Sequence, residues 1–336
     1  MKKTTLNKSI FFSLFLLLST LFSCDFDSTG STSSNNSPNS PIFSDNSTKK
    51  DKSKKDEVRK DKNIENQKNE DDTKDSNSNG ETIKVLSWNL YNFGKSKEAK
   101  EIEYIAKKLK DYDIVAVQEV STSLYGIRAV GKLADELNRT GSKWEYKISE
   151  PTSGDGKERY AYLWKTATKN AKISLKKDWL EESIEAKVDR EPYMARFEIV
   201  SKSKAKNTIL LASFHAVPTT KNPENEIVYL EEIPNRYKTD NILIMGDFNL
   251  DGKHKAFDVL RNRSFVAAFE GQKTSLRMKE KDGDPLNEEY DNIFVETRAF
   301  SIKKAEVIHF YKDYNSLKEA RYISDHIPIW VELGFK

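Results

Sequence analysis

The sequence predicts an α/β protein in which two β-sheets pack together with helices outside them, behind a leader and a long polar segment. Three observations carry this reading. Short runs rich in β-branched and aromatic residues recur from Thr82 onward. A few segments between them place apolar residues at helical spacing. Before Thr82 the chain has almost no apolar residues beyond one short run near its start.

That run belongs to a leader. Lys2, Lys3 and Lys8 make a positive start, and Ile10 to Leu18 is apolar but too short to span a membrane. Leu21-Phe22-Ser23-Cys24 then resembles a bacterial lipobox. Residues 1–23 are expected to be removed and Cys24 lipidated, giving an exported chain anchored to a membrane by its acyl chains. Cys24 is the only cysteine of 336 residues, which excludes an intramolecular disulfide. Loss of the three leader lysines takes the formal charge from +3 to about zero. Binding to nucleic acid would then depend on a local basic patch and a metal, not on a global field.

Residues 24–81 are Ser/Asn/Pro-rich and then almost wholly charged or amide-bearing, so they are read as a disordered tether. A flexible chain of that length spans roughly 40 Å. Residues 82–336 are read as one domain. IKVLSWNL alternates as a strand, and Ile102, Ile105, Ala106 and Leu109 mark a helix. DIVAVQEV is a buried strand, and residues 125–139 form a second helix. WEYKISE, ERYAYLWK, ARFEIV, NTILLASFHAV, NILIMGDFN, EYDNIFVE and DHIPIWVEL follow as strands. Helices are expected near Glu224–Ile233 and Lys255–Arg261, and AEVIHF, with His309, is expected as a strand.

Polar residues gather at the ends of these apolar runs: Asn89, Glu119, Glu158, His215, Asp247, Asn249, Asp291, Asp325 and His326. A buried carboxylate without a partner costs several kcal/mol, so each needs a donor, a cation or a metal. Singly, each has a bland role: Asp247 caps a turn, Asn89 bonds its own backbone, His215 is a satisfied core histidine. As a set they suit Mg2+ or Mn2+, because the donors are mostly oxygen and neither a cysteine pair nor His-Glu-x-x-His is present for zinc. Of four histidines, His254 and His309 carry no neighbouring motif and are read as structural, leaving His215 and His326 as an acid–base pair.

SWN, VQE, GDFN and SDH, in that order, resemble the motifs of the endonuclease/exonuclease/phosphatase superfamily. ISEPTSGDGKERYAYLW and VDREPYMARFEI narrow the resemblance to the deoxyribonuclease I group, and bacterial lipoprotein nucleases of that group fit Cys24. The resemblance covers about residues 83–333. It implies a four-layer α/β sandwich, two mostly antiparallel sheets face to face with helices outside and the site at one edge. It also implies hydrolysis of DNA phosphodiester bonds by activated water, and a monomer is expected. His326 oriented by Asp291 is then the candidate general base and His215 paired with Glu158 the candidate general acid, with the sequence leaving open which histidine takes which role. Glu119, with Asn89, would hold a divalent metal. Asp247, Asn249 and Asp325 would complete the site, and Arg190, with Asn249, would contact substrate phosphate. A stabilising Ca2+ is compatible with the resemblance.

Three departures stand out. Ser121, Gly156 and Tyr91 occupy positions where the deoxyribonuclease I pattern has groups that grip duplex DNA. The chemistry is expected to survive, while strand preference is open. The alternative within the superfamily is a sphingomyelinase-type lipid phosphodiesterase, for which no exposed aromatic hairpin is visible. A surface adhesin without turnover would predict a broken constellation, yet each matched position is filled.

Overall fold

In the computed structural model of the chain, residues 82–336 are described; the leader, Cys24 and the 24–81 tether lie outside them. The elements run β1 (Thr82–Phe93), α1 (Ala99–Leu109), β2 (Ile114–Val120), α2 (Leu124–Arg139), β3 (Trp144–Ile148), β4 (Arg159–Lys165), β5 (Ala171–Leu180), β6 (Tyr193–Ser201) and β7 (Lys206–His215). Then come α3 (Glu224–Ile227), α4 (Glu232–Arg236), β8 (Ile242–Asp247), α5 (Asp258–Arg261), β9 (Phe265–Ala267), β10 (Leu276–Lys281), β11 (Asp284–Leu286), β12 (Asp291–Glu296), β13 (Phe300–Val307), α6 (Leu317–Ala320) and β14 (Ile329–Phe335).

Two six-stranded sheets share one plan. The first has the order β13-β14-β1-β2-β4-β3, the second β5-β6-β7-β8-β12-β9. In each, the central pair is parallel (β1 with β2, β7 with β8) and the other pairings are antiparallel. A parallel pair needs a crossover, and helical segments supply both: α1 joins β1 to β2, and the stretch containing α3 and α4 joins β7 to β8.

Strands covered on both faces read as nearly continuous apolar runs. In β8, Leu243 and Met245 point between the sheets, while Ile242 and Ile244 pack against Ile227, Leu230 and Ile233 of the helical layer. In β1, Val85 faces the other sheet, while Leu86 and Trp88 pack with Ile102 and Ile105 of α1 and Leu133 and Leu137 of α2. The layers are helix, sheet, sheet, helix, as expected. In α1 the four apolar positions marked by periodicity are the four buried ones.

The sequence reading missed several strands. β5 is an edge strand whose lysines face water, and charged edges are how sheets avoid pairing with other chains. β10 and β11 form a separate hairpin over the turn Asp282-Gly283, both in left-handed backbone conformation. The strand expected around His309 ends earlier: β13 stops at Val307, and His309 precedes a short 3-10 turn.

Candidate active site

Strand direction builds the site. The C-terminal ends of β1, β2, β7 and β8 carry Asn89, Glu119, His215 and Asp247. Their antiparallel neighbours begin at the same edge: β12 starts with Asp291 paired to Asp247, and β4 starts with Arg159 paired to Val120, just after Glu158. His326 lies three residues before β14, the antiparallel partner of β1. Trp88 of β1 reaches the same edge, its Nε1 donating to His326 O, 238 positions away in sequence.

Asp247 is the centre, with almost no exposed surface. Its Oδ2 accepts from Asn89 Nδ2 at 3.1 Å and lies 3.5 Å from His215 Nε2 and 3.4 Å from His326 Nε2. Each imidazole has its other nitrogen on a carboxylate: His215 Nδ1 with Glu158 Oε2 at 2.8 Å, His326 Nδ1 with Asp291 Oδ2 at 2.7 Å. Asn89 Nδ2 also donates to Glu119 Oε1 at 2.9 Å, so one amide joins two carboxylates from the two sheets. The two imidazole Nε2 atoms are no further apart than their distances to Asp247 laid end to end, short enough for one phosphodiester to lie between them.

Below this layer the sheets are pinned by buried polar contacts. Gln118 Nε2 donates to Ser213 Oγ at 2.8 Å and to Ser87 Oγ at 3.1 Å, so this buried amide is not left to desolvate alone. Gly246 holds φ of +142°, and a Cβ there would meet Phe214 O at 1.9 Å, so only glycine lets β8 deliver Asp247 beside β7. Backbone strain gathers at the same edge. Tyr91, Asn92, Glu119 and Asn249 have φ of 40°, 51°, 60° and 50°, half of the eight non-glycine residues in that region. Such conformations persist where surrounding structure over-determines them, as at binding sites.

The charges follow from the contacts. Burial works against a proton on His326, but Asp291 and Asp247 outweigh it and hold the imidazole well above its ordinary range. His215 is also raised: burial lowers it, Glu158 raises it, and Arg190 opposes. Burial acts to raise Asp247, yet the two imidazoles and the donors from Asn249 and Asn89 leave it below the usual carboxylate range. Asp291 is raised, chiefly by burial.

Not every expected residue stands as expected. Arg190 is buried. Its Nε donates to His215 O at 2.8 Å and its Nη2 to Ala216 O, leaving only Nη1, 3.7 Å from Glu158, toward the cleft. Most of this guanidinium is thus committed to holding the turn after β7. Asp325 turns its Oδ2 to Arg321 at 3.1 Å, away from the Asp247 contacts, while its Oδ1 is buried with no partner among the described residues. Asn249 Nδ2 donates to Ala216 O, and its backbone N–H donates to Asp247 Oδ1 at 3.0 Å. Asn89 Oδ1 accepts from Tyr91 N–H.

The donor chemistry suits a hard divalent cation. Asp247, Asp291 and His326 bring ligating atoms within 4.8 Å of one another, and Glu119 approaches through Asn89. Each of these oxygens is also engaged by a hydrogen bond, Asp291 Oδ2 with His326, both Asp247 oxygens with Asn89 and Asn249, and both Glu119 oxygens with Asn89 and Asn92, so an ion would exchange with those donors.

The sequence pattern of the endonuclease/exonuclease/phosphatase family matches residues 86–326. The chain belongs to that family. Deoxyribonuclease-1 of Bos taurus is 28% identical over 270 residues, 76% of this chain and 93% of the bovine one. Deoxyribonuclease gamma of Homo sapiens is 28% identical over 270 residues, covering 75% of this chain and 86% of the human one. A solved family protein from Bacteroides thetaiotaomicron shares the fold, with a TM-score of 0.56 at 19% identity over 76% of this chain and 99% of that one. Within the family, this chain is deoxyribonuclease I-like.

Against the family motifs, the supporting residues are what sequence reasoning missed. Thr274 Oγ1 accepts the backbone N–H of Asp291 at 2.9 Å. Ser324 Oγ donates to Asn89 O at 2.6 Å, tying the His326 loop to β1. Asp189 accepts from the backbone of Asp155 and Gly156, and Glu191 from that of Ser153, so the REP segment holds the loop that presents Glu158. Gly156 is no simple loss: a Cβ there would meet Asp189 Oδ2 at 2.4 Å. Ser324 and Thr274 gave a faint signal, a hydroxyl just before a polar strand end. On either side of the carboxylates the clefts are basic, with Lys95, Lys157 and Arg190 toward His215, and Arg277, Lys279, Lys281 and Arg321 toward His326.

Proposed function

We propose that this chain hydrolyses phosphodiester bonds of DNA by activated water, with a divalent metal ion bound at its carboxylates. The observation that supports this best is the convergence of two imidazole–carboxylate pairs on Asp247 Oδ2, with Glu119 joined through Asn89. Basic walls on both sides suit a polyanion, although the exported chain is nearly neutral overall.

Asp291 accepts the Nδ1 proton of His326 and so presents a bare Nε2 to the attacking water. Glu158 holds His215 in the same way, and protonated His215 donates from Nε2 to the leaving oxygen. The raised pKa of His215 suits the acid. His326, also raised, must first lose its proton to act as base, and it does so more readily when the charge of Asp247 is neutralised. Held by Glu119, Asp247 and Asn89, the ion, Mg2+ or Mn2+, would supply that neutralisation and offset charge on the phosphoryl oxygens. Arg190 lines the cleft beside His215, and its Nη1 is the guanidinium nitrogen left to meet the phosphate.

The chain is further proposed to be exported and lipid-anchored through Cys24. The lipid phosphodiesterase alternative gains no support from the hairpin beside His326, whose strands carry no aromatic side chain. The test is nicking of supercoiled plasmid by the purified chain. Nicking in Mg2+, none in EDTA and none with His326→Ala is the expected result. Intact plasmid with well-folded wild-type protein in Mg2+, Mn2+ and Ca2+ would end the duplex-DNase reading.

A further inference from the structure

We propose that the groove beyond His326 binds an unpaired stretch of DNA, with bases stacked on Tyr91 and Tyr322 and phosphates on Lys279 and Lys318. This rests on the nuclease reading above and names the form of DNA that the site takes.

The groove is a cavity of about 800 Å3 with an apolar floor. Tyr322 is 64% exposed, Met278 74% and Tyr91 40%, an unusual concentration of large apolar side chains in water. Met278, Lys279 and Arg321 also line the adjoining cleft of about 470 Å3 that contains His326, so the two form one path. Among the described residues, Glu280 is the one acid on the groove wall, against Lys279 and Lys318, while Arg321 is already paired with Asp325.

Tyr91 is held outward at a conformational cost. A bulky residue with φ of +40° is a backbone outlier, and Asn92 follows it at +51°. Here β1 slips out of register with β2, between Asn89 and Phe93. Buried Lys97 links the two aromatics: its Nζ lies 5.9 Å from the centre of the Tyr91 ring and donates to Tyr322 O at 2.8 Å. Arg321 Nη1 donates to Leu276 O, fixing the Tyr322 segment against the hairpin β10–β11. The backbone that carries both aromatics is therefore built in place, which reduces the ordering cost of binding.

Exposed aromatic faces set among cations are how proteins hold single strands without reading their sequence, because every base has a face to stack. A duplex keeps its base faces inside the helix. On the other side of the site, Ser121 and Gly156 offer little side chain to a duplex groove.

The test uses the full chain carrying Cys24→Ser, so that no acyl anchor contributes. Tyr322→Ala and Tyr91→Leu are compared with wild type on a single-stranded oligonucleotide, its duplex, and methyl 4-nitrophenyl phosphate, which has no base. Each variant should raise KM for the single strand about ten-fold, leave kcat and the small diester within two-fold, and move the duplex KM much less. In EDTA, a 2-aminopurine oligonucleotide should be quenched by wild type and less so by either variant. An unchanged single-strand KM, or an equal rise for the duplex, would overturn the proposal. So would loss of binding to sphingomyelin–phosphatidylcholine vesicles by Tyr322→Ala with the oligonucleotide KM unmoved, which would make the groove a lipid contact. Failure of wild type on DNA and on the small diester alike would instead sink the nuclease reading and the groove with it.

Discussion

His326 and His215 meet the same oxygen of Asp247 at nearly equal distances, and each leans on one carboxylate, yet their neighbourhoods differ. Asp291, the partner of His326, is buried, and among the described residues the imidazole is the one cation paired with it. Glu158, the partner of His215, also faces Arg190 and accepts the Glu119 backbone N–H. Arg190 opposes a proton on His215, and nothing comparable opposes one on His326. Two sheets with one plan thus deliver two similar dyads, made unequal by Arg190 beside His215 and Asp325 beside His326.

The largest expected effect treats the dyads as equals. His326→Ala and His215→Ala should each lower plasmid nicking by about 10²–10⁴-fold, the range for a lost general acid or base. Retention of more than a tenth of the activity by either variant would break the symmetry and remove that residue from the chemistry. Next comes the ion. Glu119→Ala should abolish the rise in Tm that Mg2+ gives wild type, a rise worth about 2.7 kcal/mol at a hundred-fold excess over Kd. An undiminished Mg2+ response would move the ion to another set of ligands.

Stability against pH sharpens the contrast. Both imidazoles have folded pKa values above the unfolded one. Their stabilisation is fully present below about pH 6.5 and is lost as pH rises through the folded values. In EDTA, wild-type Tm should therefore fall as pH rises through the folded values, and Asp291→Asn should erase the part of that fall that belongs to His326. A variant profile parallel to wild type would show that Asp291 does not hold the proton on His326.

The dyads were legible in the sequence because each member ends or begins an apolar strand, where an unpaired polar group is costly. Asn89, Asp247 and His215 announce themselves in this way. Their meeting was not legible from periodicity, since it depends on which strands pair across the sheets. The resemblance supplied it, and the register then gave it a physical basis. Arg190 shows where motif transfer falls short: Arg-Glu-Pro marks the right segment, but two of the three guanidinium nitrogens hold the turn after β7. The hairpin β10–β11 went unseen because LRMKEK exposes charge on both faces and so has no alternating pattern to detect. That hairpin brings Met278 and Lys279 beside His326, so the least patterned strand is the one that shapes the groove.

The smallest effect concerns Lys97, which lies under one flank of the site. Burial drives its pKa down to about 8, against attraction from Asp325 and Glu119. Below that value it is protonated in both folded and unfolded chains, and the full cost of burying the charge is borne. As pH rises from about 8 toward the unfolded value near 10.5, the folded chain sheds its proton first and the cost is relieved, by at most ~1.4 kcal/mol per pH unit. Lys97→Met removes that dependence together with the hydrogen bond to Tyr322 O, itself worth about 1 kcal/mol. The two changes oppose each other at neutral pH, where the relieved burial cost, about 3 kcal/mol, exceeds the lost hydrogen bond, so the variant should be the more stable there. By about pH 9.5 wild type should have gained stability relative to the variant. Urea unfolding at both pH values checks this, and titrating tyrosines cancel because both chains carry them. A constant difference across that range would mean that the ammonium is solvated, and that Tyr91 and Tyr322 are held by packing alone.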